Sequence, residues 1–213
     1  MDARPKPSHH RPEHGQPPPC LRDALREASS VVHHRLEARL PLTSEALTLD
    51  AYRRLLEAFY GFYQPLEACL EKDASQLPGL EWPLRRKTPL LEQDLRTLGL
   101  NDGDVAAVPT CPSLPQLDHR AATLGCLYVL EGSTLGGQIT GRAIEARFGF
   151  GSEHGARFLR PYGSDTGRMW RSFLTLLGEA DAEPTAFHDR ACTAAVETFS
   201  ALERWFDVRE VLR

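Results

Sequence analysis

Apolar residues recur at steps of three and four positions along most of the chain, a spacing typical of helices that bury one side. No stretch of useful length alternates apolar and polar residues, as half-buried strands do, and no internal repeat is present. The pattern therefore predicts a single all-α domain. The predicted helices run from Cys20 to about Leu40, from near Thr48 past Leu66, from Thr88 to Leu98, from about Leu117 to Phe148, from near Ser164 or Asp165 past Leu177, and from about Pro184 past Phe206.

Some of these helices carry predictions about individual residues. Thr48 and Thr88 are suited to cap the helices that follow them, with Pro89 as the first helical residue after Thr88. Pro65 is expected to bend the second helix, because proline lacks the backbone donor that a helix interior needs. The inward face predicted for the long helix consists of Leu117, Ala121, Leu124, Tyr128, Leu135 and Ile139.

Residues 1–19 differ in composition from everything that follows. They are rich in proline and polar residues, include His9, His10 and His14, and hold almost no large apolar side chain. Such a segment cannot bury enough apolar surface to order itself. We therefore predict a disordered tail with solvated histidines, followed by a folded domain at 20–213.

Size, charge and cysteine usage exclude several classes of protein. A chain of 213 residues can bury a substantial core. Its net charge of −4 and its lack of a basic tract give no support for nucleic-acid binding. The five cysteines are widely spaced without a CxxC pair, which argues against a disulfide framework and a zinc site. We recognise no signal peptide and no apolar membrane span, so the predicted location is the cytoplasm.

The long helix contains an anomaly, because Gly132, Gly136 and Gly137 interrupt its apolar interior. Each glycine inside a helix costs ~1 kcal/mol relative to alanine, so the cluster needs a compensating role. The four-residue spacing of Gly132 and Gly136 places them on one face, where a flat partner can approach the main chain. That partner is either another helix or a planar ligand.

The first predicted helix contains adjacent histidines, His33 and His34. Neighbouring side chains on a helix project about 100° apart, so at most one of them can face the interior squarely. The apolar periodicity does not decide which one does. A histidine at such a boundary more often bonds to backbone or solvent than to a metal.

Two segments of the chain carry ordered motifs that together resemble a known family. The sequence LYVLEGSTLGGQ occupies 127–138 in the long helix, and Tyr162-Gly163, Thr166-Gly167 and Trp170-Arg171 follow it in order. In the first helix the matching positions are Leu25, Ala28, Ser29, His33 and Glu37. The combination resembles the heme oxygenases, and more closely the bacterial branch that includes enzymes serving bacteriophytochromes.

The resemblance implies a helical bundle that holds heme between the first helix and a kinked, glycine-rich distal helix. It assigns the proximal iron ligand to His33 and leaves His34 as an exposed neighbour. The catalytic residues that it implies are Gly132, Ser133 and Gly136. The implied cofactor-binding residues are Arg26, His33, Gly137, Arg171, Phe199 and Phe206.

The arginines and phenylalanines in this set have simpler alternative roles. Arg26 precedes His33 by about two helical turns, so its guanidinium can reach a heme propionate from the same side of the helix. Arg171 is the second propionate partner by its family position. Phe199 and Phe206 match family positions that line the pocket. The alternatives are solvated surface positions for the arginines and core positions for the phenylalanines.

The implied reaction is the O2- and reductant-dependent cleavage of heme to biliverdin, CO and ferrous iron, with heme as both substrate and cofactor. The resemblance further implies the IX alpha isomer, an electron donor such as ferredoxin or a flavin reductase, and a bacteriophytochrome as biliverdin acceptor. Animal heme oxygenases have an aspartate where this chain has Ser133, so the proton relay must be arranged differently. Glu131 is expected to point away from heme.

Other classes of function stay open on the residues alone. A heme carrier or sensor would use the same His33 and slot but leave heme intact. A non-heme di-iron site is disfavoured because no glutamate lies three residues before a histidine. An interaction module would explain the glycines as helix packing, but it would not explain the ordered motifs.

Overall fold

A computed structural model describes residues 20–213, and the tail predicted at 1–19 lies outside the described residues. Within 20–213 the chain forms helices and no β-strand, with isolated bridges at Gly151 as the sole strand-like pairing. The predicted all-α class is confirmed. The α-helices are α1 (Leu21–Arg39), α2 (Leu49–Ala74), α3 (Trp82–Arg85), α4 (Thr88–Thr97), α5 (Asp102–Ala106), α6 (Arg120–Phe148), α7 (Thr166–Gly178) and α8 (Thr185–Val208), with short 3-10 turns at Pro41–Thr43 and Gly163–Asp165.

The longer helices lie close to their predicted bounds. The Thr48 hydroxyl caps α2 as predicted by accepting a hydrogen bond from the backbone N–H of Ala51 at 3.1 Å. The helix then continues through Pro65 without a break. The short helices α3 and α5 were not predicted, because one turn of helix is too short to display a period.

α8 is the helix on which the rest of the bundle is arranged, since both α1 and α6 pack along it. α6 and α8 approach closely at Gly125, where a Cβ would lie 2.0 Å from the carbonyl oxygen of Ala191. Glycine is required there because any side chain would collide with the neighbouring backbone. α7 contacts both α1 and α6 and closes one side of the arrangement.

Ion pairs hold α1 against α8. The buried Glu203 carboxylate of α8 accepts hydrogen bonds from Arg35 at 2.5 Å and from Arg39 at 2.9 Å. Arg39 also pairs with Asp207, one turn further along α8. The hydrogen bonds from Arg35 and Arg39 lower the pKa of Glu203, so its carboxylate stays charged at neutral pH.

The start of α4 corrects one prediction. Thr88 is the first residue of this helix rather than its cap, and its hydroxyl has no hydrogen-bond partner in the structure. The cap comes from α2, where the buried Glu67 carboxylate accepts from the backbone N–H of Lys87 at 2.6 Å and of Thr88 at 3.2 Å. A carboxylate also complements the positive end of the helix dipole, so α2 fixes where α4 begins.

The inward face predicted for α6 holds in the first half of the helix. Ala121 and Leu124 are fully buried, whereas Leu135 is 41% exposed and Ile139 is 68% exposed. The prediction for Leu135 and Ile139 is wrong because periodicity identifies an apolar face but not what covers it. An exposed apolar face of this kind commonly marks a binding surface.

A buried aspartate fixes the loop between α6 and α7. Asp94 of α4 is fully buried and accepts from the backbone N–H of Arg157 at 3.0 Å and of Phe158 at 2.8 Å. The next residue, Leu159, lies against α6. Asp94 therefore connects α4 through the loop to α6. Burial raises the pKa of Asp94 to about 6.

We predict that Asp94 makes the folded chain more stable as the pH falls. Its pKa in the folded state lies above the ordinary value of 3.8, so the folded state binds this proton more tightly than the unfolded state. The contribution, about 3 kcal/mol, is complete below about pH 4 and is lost as the pH rises through about 6. Asp94→Asn should remove this part of the pH dependence of the free energy of unfolding, measured by urea denaturation. Asp118→Asn, which makes the same charge change at an exposed position, should retain it. Equal slopes in the two variants would contradict the prediction.

Candidate functional site

One face of α6 changes from packed to open along the helix. Gly125, Gly132 and Gly136 lie on this face, and Gly132 and Gly136 follow Gly125 by about two and three helical turns. At Gly125 the face meets α8. A Cβ at Gly132 would meet only the Trp170 ring at 3.9 Å, and a Cβ at Gly136 would meet no atom within 4 Å. This face of α6 is therefore nearly free of neighbouring side chains beyond Gly125, and we call the open space over Gly132 and Gly136 the wedge.

The α6 wall of the wedge is apolar as well as open. Leu135 and Ile139 lie beside Gly136 on the exposed side of the helix. Bare helix backbone flanked by apolar side chains suits a flat, largely apolar ligand, because such a ligand can contact the main chain directly.

Gly137 and Gly141 belong to a different face of α6. A Cβ at Gly137 would lie 2.2 Å from the carbonyl oxygen of Leu159, and a Cβ at Gly141 would lie 2.6 Å from Cδ of Arg160. Gly137, predicted to bind the cofactor, is instead a packing residue that admits the loop between α6 and α7. The structure thus separates the glycines of α6 into a packed set and an open set.

His33 lies where α1 meets α8. Its ring centroid is 5.3 Å from that of Phe199 on α8 and 5.3 Å from that of its neighbour His34. Both histidines are exposed, and ligand atoms of His33, His34 and Glu37 lie within 4.8 Å of one another. Exposure does not separate the two histidines, but the Phe199 contact sets His33 at the helix junction with its imidazole accessible.

The other phenylalanine predicted to line the pocket lies in the core. Phe206 is fully buried, and its ring stands edge-on to that of Phe59 at 4.8 Å. The prediction that Phe206 contacts the cofactor is therefore corrected to a packing role. Phe199 is half-buried and stays among the candidate site residues.

Cationic side chains lie where α1, α6 and α7 meet. The ring of Tyr128 on α6 is 6.0 Å from that of Trp170 on α7, and Arg171 is the next residue. Burial raises the pKa of Tyr128, and the nearby charge of Arg26 on α1 opposes this effect. Arg26 and Arg171 are both exposed, and among residues 20–213 neither forms an ion pair. Both guanidinium groups can therefore receive a carboxylate.

Ser133 flanks the open face of α6. Its hydroxyl donates a hydrogen bond to the carbonyl oxygen of Leu130 at 2.8 Å and lies beside the hydroxyl of Tyr63 on α2. Burial raises the pKa of Tyr63 to about 12, although the Lys87 charge and the Ser133 hydroxyl oppose this rise. Tyr63 therefore keeps its proton at neutral pH. Sequence reasoning did not identify Tyr63 as a neighbour of Ser133.

Glu131 is buried outside the wedge. Its carboxylate pairs with Arg85 and, at 2.5 Å, with Lys87, and it accepts a hydrogen bond from the Tyr162 hydroxyl at 2.8 Å. The sequence did not identify Arg85 or Lys87, because local patterning does not distinguish a buried cation from an exposed one. Most lysines and arginines are exposed, so burial of this pair could not be expected.

The residues around the wedge fit heme. Heme is a flat, largely apolar ring that takes an axial base at its iron and carries two carboxylates at its edge. The wall of α6 supplies an apolar surface, and His33 supplies an accessible imidazole. Arg26 and Arg171 supply cations that no protein carboxylate within 20–213 engages.

The comparison with known proteins agrees with this geometry. The sequence model of the heme oxygenase family matches residues 20–208. A heme oxygenase from Xanthomonas campestris pv. campestris (strain 8004) is 31% identical over 158 residues, which cover 68% of this chain and 90% of that protein.

Solved structures have the same fold. The NO- and CO-bound heme oxygenase of Neisseria meningitidis is 20% identical with a TM-score of 0.72, covering 89% of this chain and 92% of that one. Heme oxygenase-1 of the cyanobacterium Synechocystis sp. PCC 6803, in complex with heme, is 16% identical with a TM-score of 0.71, covering 88% and 91%.

The fold and the wedge define an all-α, heme-binding class of protein. The chain belongs to the heme oxygenase family, whose enzymes degrade heme with O2 and an external electron donor. None of the helices within 20–213 combines the length and the apolar character needed to cross a bilayer.

We predict opposite effects of alanine at two neighbouring glycines. Gly137→Ala places a Cβ against the Leu159 carbonyl, so it should lower the free energy of unfolding by about 1–3 kcal/mol. Gly136→Ala meets no neighbour, so it should be neutral or raise stability by up to ~1 kcal/mol through helix propensity. Urea denaturation of the two heme-free variants measures the difference. If both lose stability equally, the division of α6 glycines into packed and open sets is wrong.

Proposed function

We propose that this enzyme cleaves heme to biliverdin, carbon monoxide and ferrous iron, with heme in the wedge over Gly132 and Gly136 of α6 and His33 of α1 as its axial ligand. The observation that carries the proposal is the open face at Gly132 and Gly136. Glycines that pack against nothing only weaken a helix, so their presence here requires a partner outside the chain.

Each residue of the wedge has a task in binding. His33 offers a neutral imidazole nitrogen to iron, and the half-buried Phe199 limits the orientation of that ring. Arg26 and Arg171 bind the propionates, for which the planar guanidinium fork is well suited. Because Gly136 has no side chain, the α6 backbone can lie directly on the ring face opposite His33.

The reaction needs a proton donor on the α6 side of the site. Heme, once bound and reduced, activates O2 and is itself the group that becomes oxidised. The Ser133 hydroxyl lies beside the open face and next to the Tyr63 hydroxyl, and it can serve as the donor by turning its proton from the Leu130 carbonyl toward the ligand. Leu135 and Ile139 limit which edge of the ring is accessible, and the isomer we propose from the family resemblance is biliverdin IX alpha.

The partners that we propose follow from the same resemblance. The electron donor that we propose is a ferredoxin or a flavin reductase. The biliverdin acceptor is a bacteriophytochrome. A cytoplasmic location is supported by the cysteines, all of which are free thiols, as is usual in a reducing compartment.

The axial ligand is tested by comparing neighbouring histidines. His33→Ala should abolish the imidazole-type absorption spectrum of the heme complex, and added imidazole should restore it. His34→Ala is the matched control and should bind heme normally. Loss of heme binding in the His34 variant alone would show that the assignment of the axial ligand to His33 is wrong. In the wild-type protein, reductant and oxygen should yield biliverdin by chromatography, whereas intact heme would identify a carrier or sensor.

The open face is tested with a bulky side chain. Gly136→Leu should retain heme binding through His33 but reduce biliverdin formation by about 10- to 100-fold, because a displaced ring no longer meets the proton donor correctly. Ala106→Leu, at an exposed position on α5, should have no effect. A turnover rate equal to that of wild type in the Gly136 variant would return these glycines to ordinary helix packing.

A further inference from the structure

A buried cluster of charges joins three helices directly behind the wedge. Its centre is Glu131 of α6, which is 1% exposed and pairs with Arg85 and Lys87, both equally buried. The Tyr162 hydroxyl completes it by donating to Glu131 at 2.8 Å and accepting from Lys87 at 3.1 Å. Every member has at least two polar partners, so the cluster is a satisfied network rather than an isolated ion pair.

The cluster is attached to α6 at the point where the open face begins. Glu131 immediately precedes Gly132 and Ser133, so a movement of its carboxylate moves the turn that carries both. Lys87, which holds that carboxylate, is itself held through its backbone N–H by Glu67 of α2 at 2.6 Å. The turn is therefore anchored through Lys87 to α2, the helix that also carries Tyr63.

The same cluster is hydrogen-bonded to α7 on both sides of Trp170 and Arg171. Arg85 donates to the carbonyl oxygen of Met169 at 3.2 Å and to the Ser172 hydroxyl at 2.7 Å. These two residues enclose Trp170 and Arg171 in the chain. One guanidinium thus contacts the residue before Gly132 on α6 and the residues around Arg171 on α7.

Stability alone does not require such an arrangement. Replacing a buried ion pair by apolar residues of similar volume is often neutral or stabilising, because desolvation of the charges offsets their attraction. Apolar side chains impose no preferred direction on their contacts, whereas hydrogen-bonded charges fix the distance and the angle between the groups that they join. The cluster lies where a fixed separation between α6 and α7 determines how a ring would sit between Gly132 and Arg171.

We propose that Arg85, Lys87 and Glu131 are positioning residues of the heme site, which fix the Gly132–Ser133 turn of α6 relative to Trp170 and Arg171 of α7. This inference rests on the proposed placement of heme against that turn. It assigns a role in the reaction to residues that contact neither substrate nor iron.

The test uses a double variant that keeps the net charge of the cluster unchanged. Glu131→Gln leaves Arg85 and Lys87 buried without a carboxylate and should lose stability, whereas Lys87→Met leaves Arg85 paired with Glu131. The combined variant has the same excess of one cation as wild type, so it should be more stable than Glu131→Gln and bind heme within about threefold of wild type. If the cluster positions the site, its turnover should still be about 10- to 100-fold slower, and its product should contain a second biliverdin isomer.

A measurement on the heme-free protein separates this inference from the proposed function. Amide hydrogen exchange over 130–138 and 166–172 should be faster in the double variant, while exchange in α2 stays unchanged. Wild-type turnover and unchanged exchange in the double variant would overturn the positioning role. A wild-type protein that leaves heme intact would refute the proposed function, and the exchange result would still decide the structural role.

A milder variant covers the case in which the double variant does not fold. Tyr162→Phe removes a single hydroxyl donor to Glu131 and should slow turnover with a change in melting temperature of a few degrees at most. Tyr52→Phe removes a buried hydroxyl outside the cluster, which donates to the carbonyl oxygen of Gly155 at 2.8 Å, and is the matched control. Equal turnover in the two variants would count against the proposal.

Discussion

The contact between two helix backbones at Gly125 is the constraint on which the candidate site depends. Because no side chain separates α6 from Ala191 of α8, the two backbones lie against each other there. Further along the same face of α6, the glycines at 132 and 136 leave the wall of the wedge bare. Glycine thus serves two purposes on one face of α6. It permits backbone contact at Gly125, and it leaves open space at Gly132 and Gly136.

Apolar packing and ion pairs together hold α1 against α8. His33 contacts Phe199, Arg35 and Arg39 contact Glu203, and the contacts advance along α1 and α8 in the same direction. The helices therefore run parallel, with the ion pairs fixing the register that sets His33 against Phe199. A register set by hydrogen-bonded charges is specific, since a shift of one residue would leave a buried carboxylate without its partners.

Local sequence was sufficient for the longer helices, and the family resemblance for the ligand type, but neither showed what lies between distant segments. The periodicity predicted α1, α2, α6 and α8, because each buries a face long enough to show a period. The periodicity could not show that Leu135 is exposed, since an apolar residue fits the pattern equally well whether it packs against a core or against a ligand.

The residues that sequence reasoning missed or misplaced all depend on tertiary contacts. Glu67 caps a helix 20 residues away, and Thr88 was given that role because the cap rule considers only neighbours in the chain. Gly137 and Gly136 are adjacent, so only the position of Leu159 separates a packing residue from an open one. Lys87 lies in a segment with no motif, and its burial follows from where Glu131 is placed.

The contact of Gly125 with α8 also limits how the length of this chain can change. An extra residue between Gly125 and Gly136 would rotate everything beyond it by about 100°, since the Gly125 contact cannot move with it. Gly136 would leave the wedge, and a residue with a side chain would take its place in the wall. Insertions and deletions are therefore tolerable in the loops that join the helices, whereas the eleven-residue interval between these glycines has to keep its length.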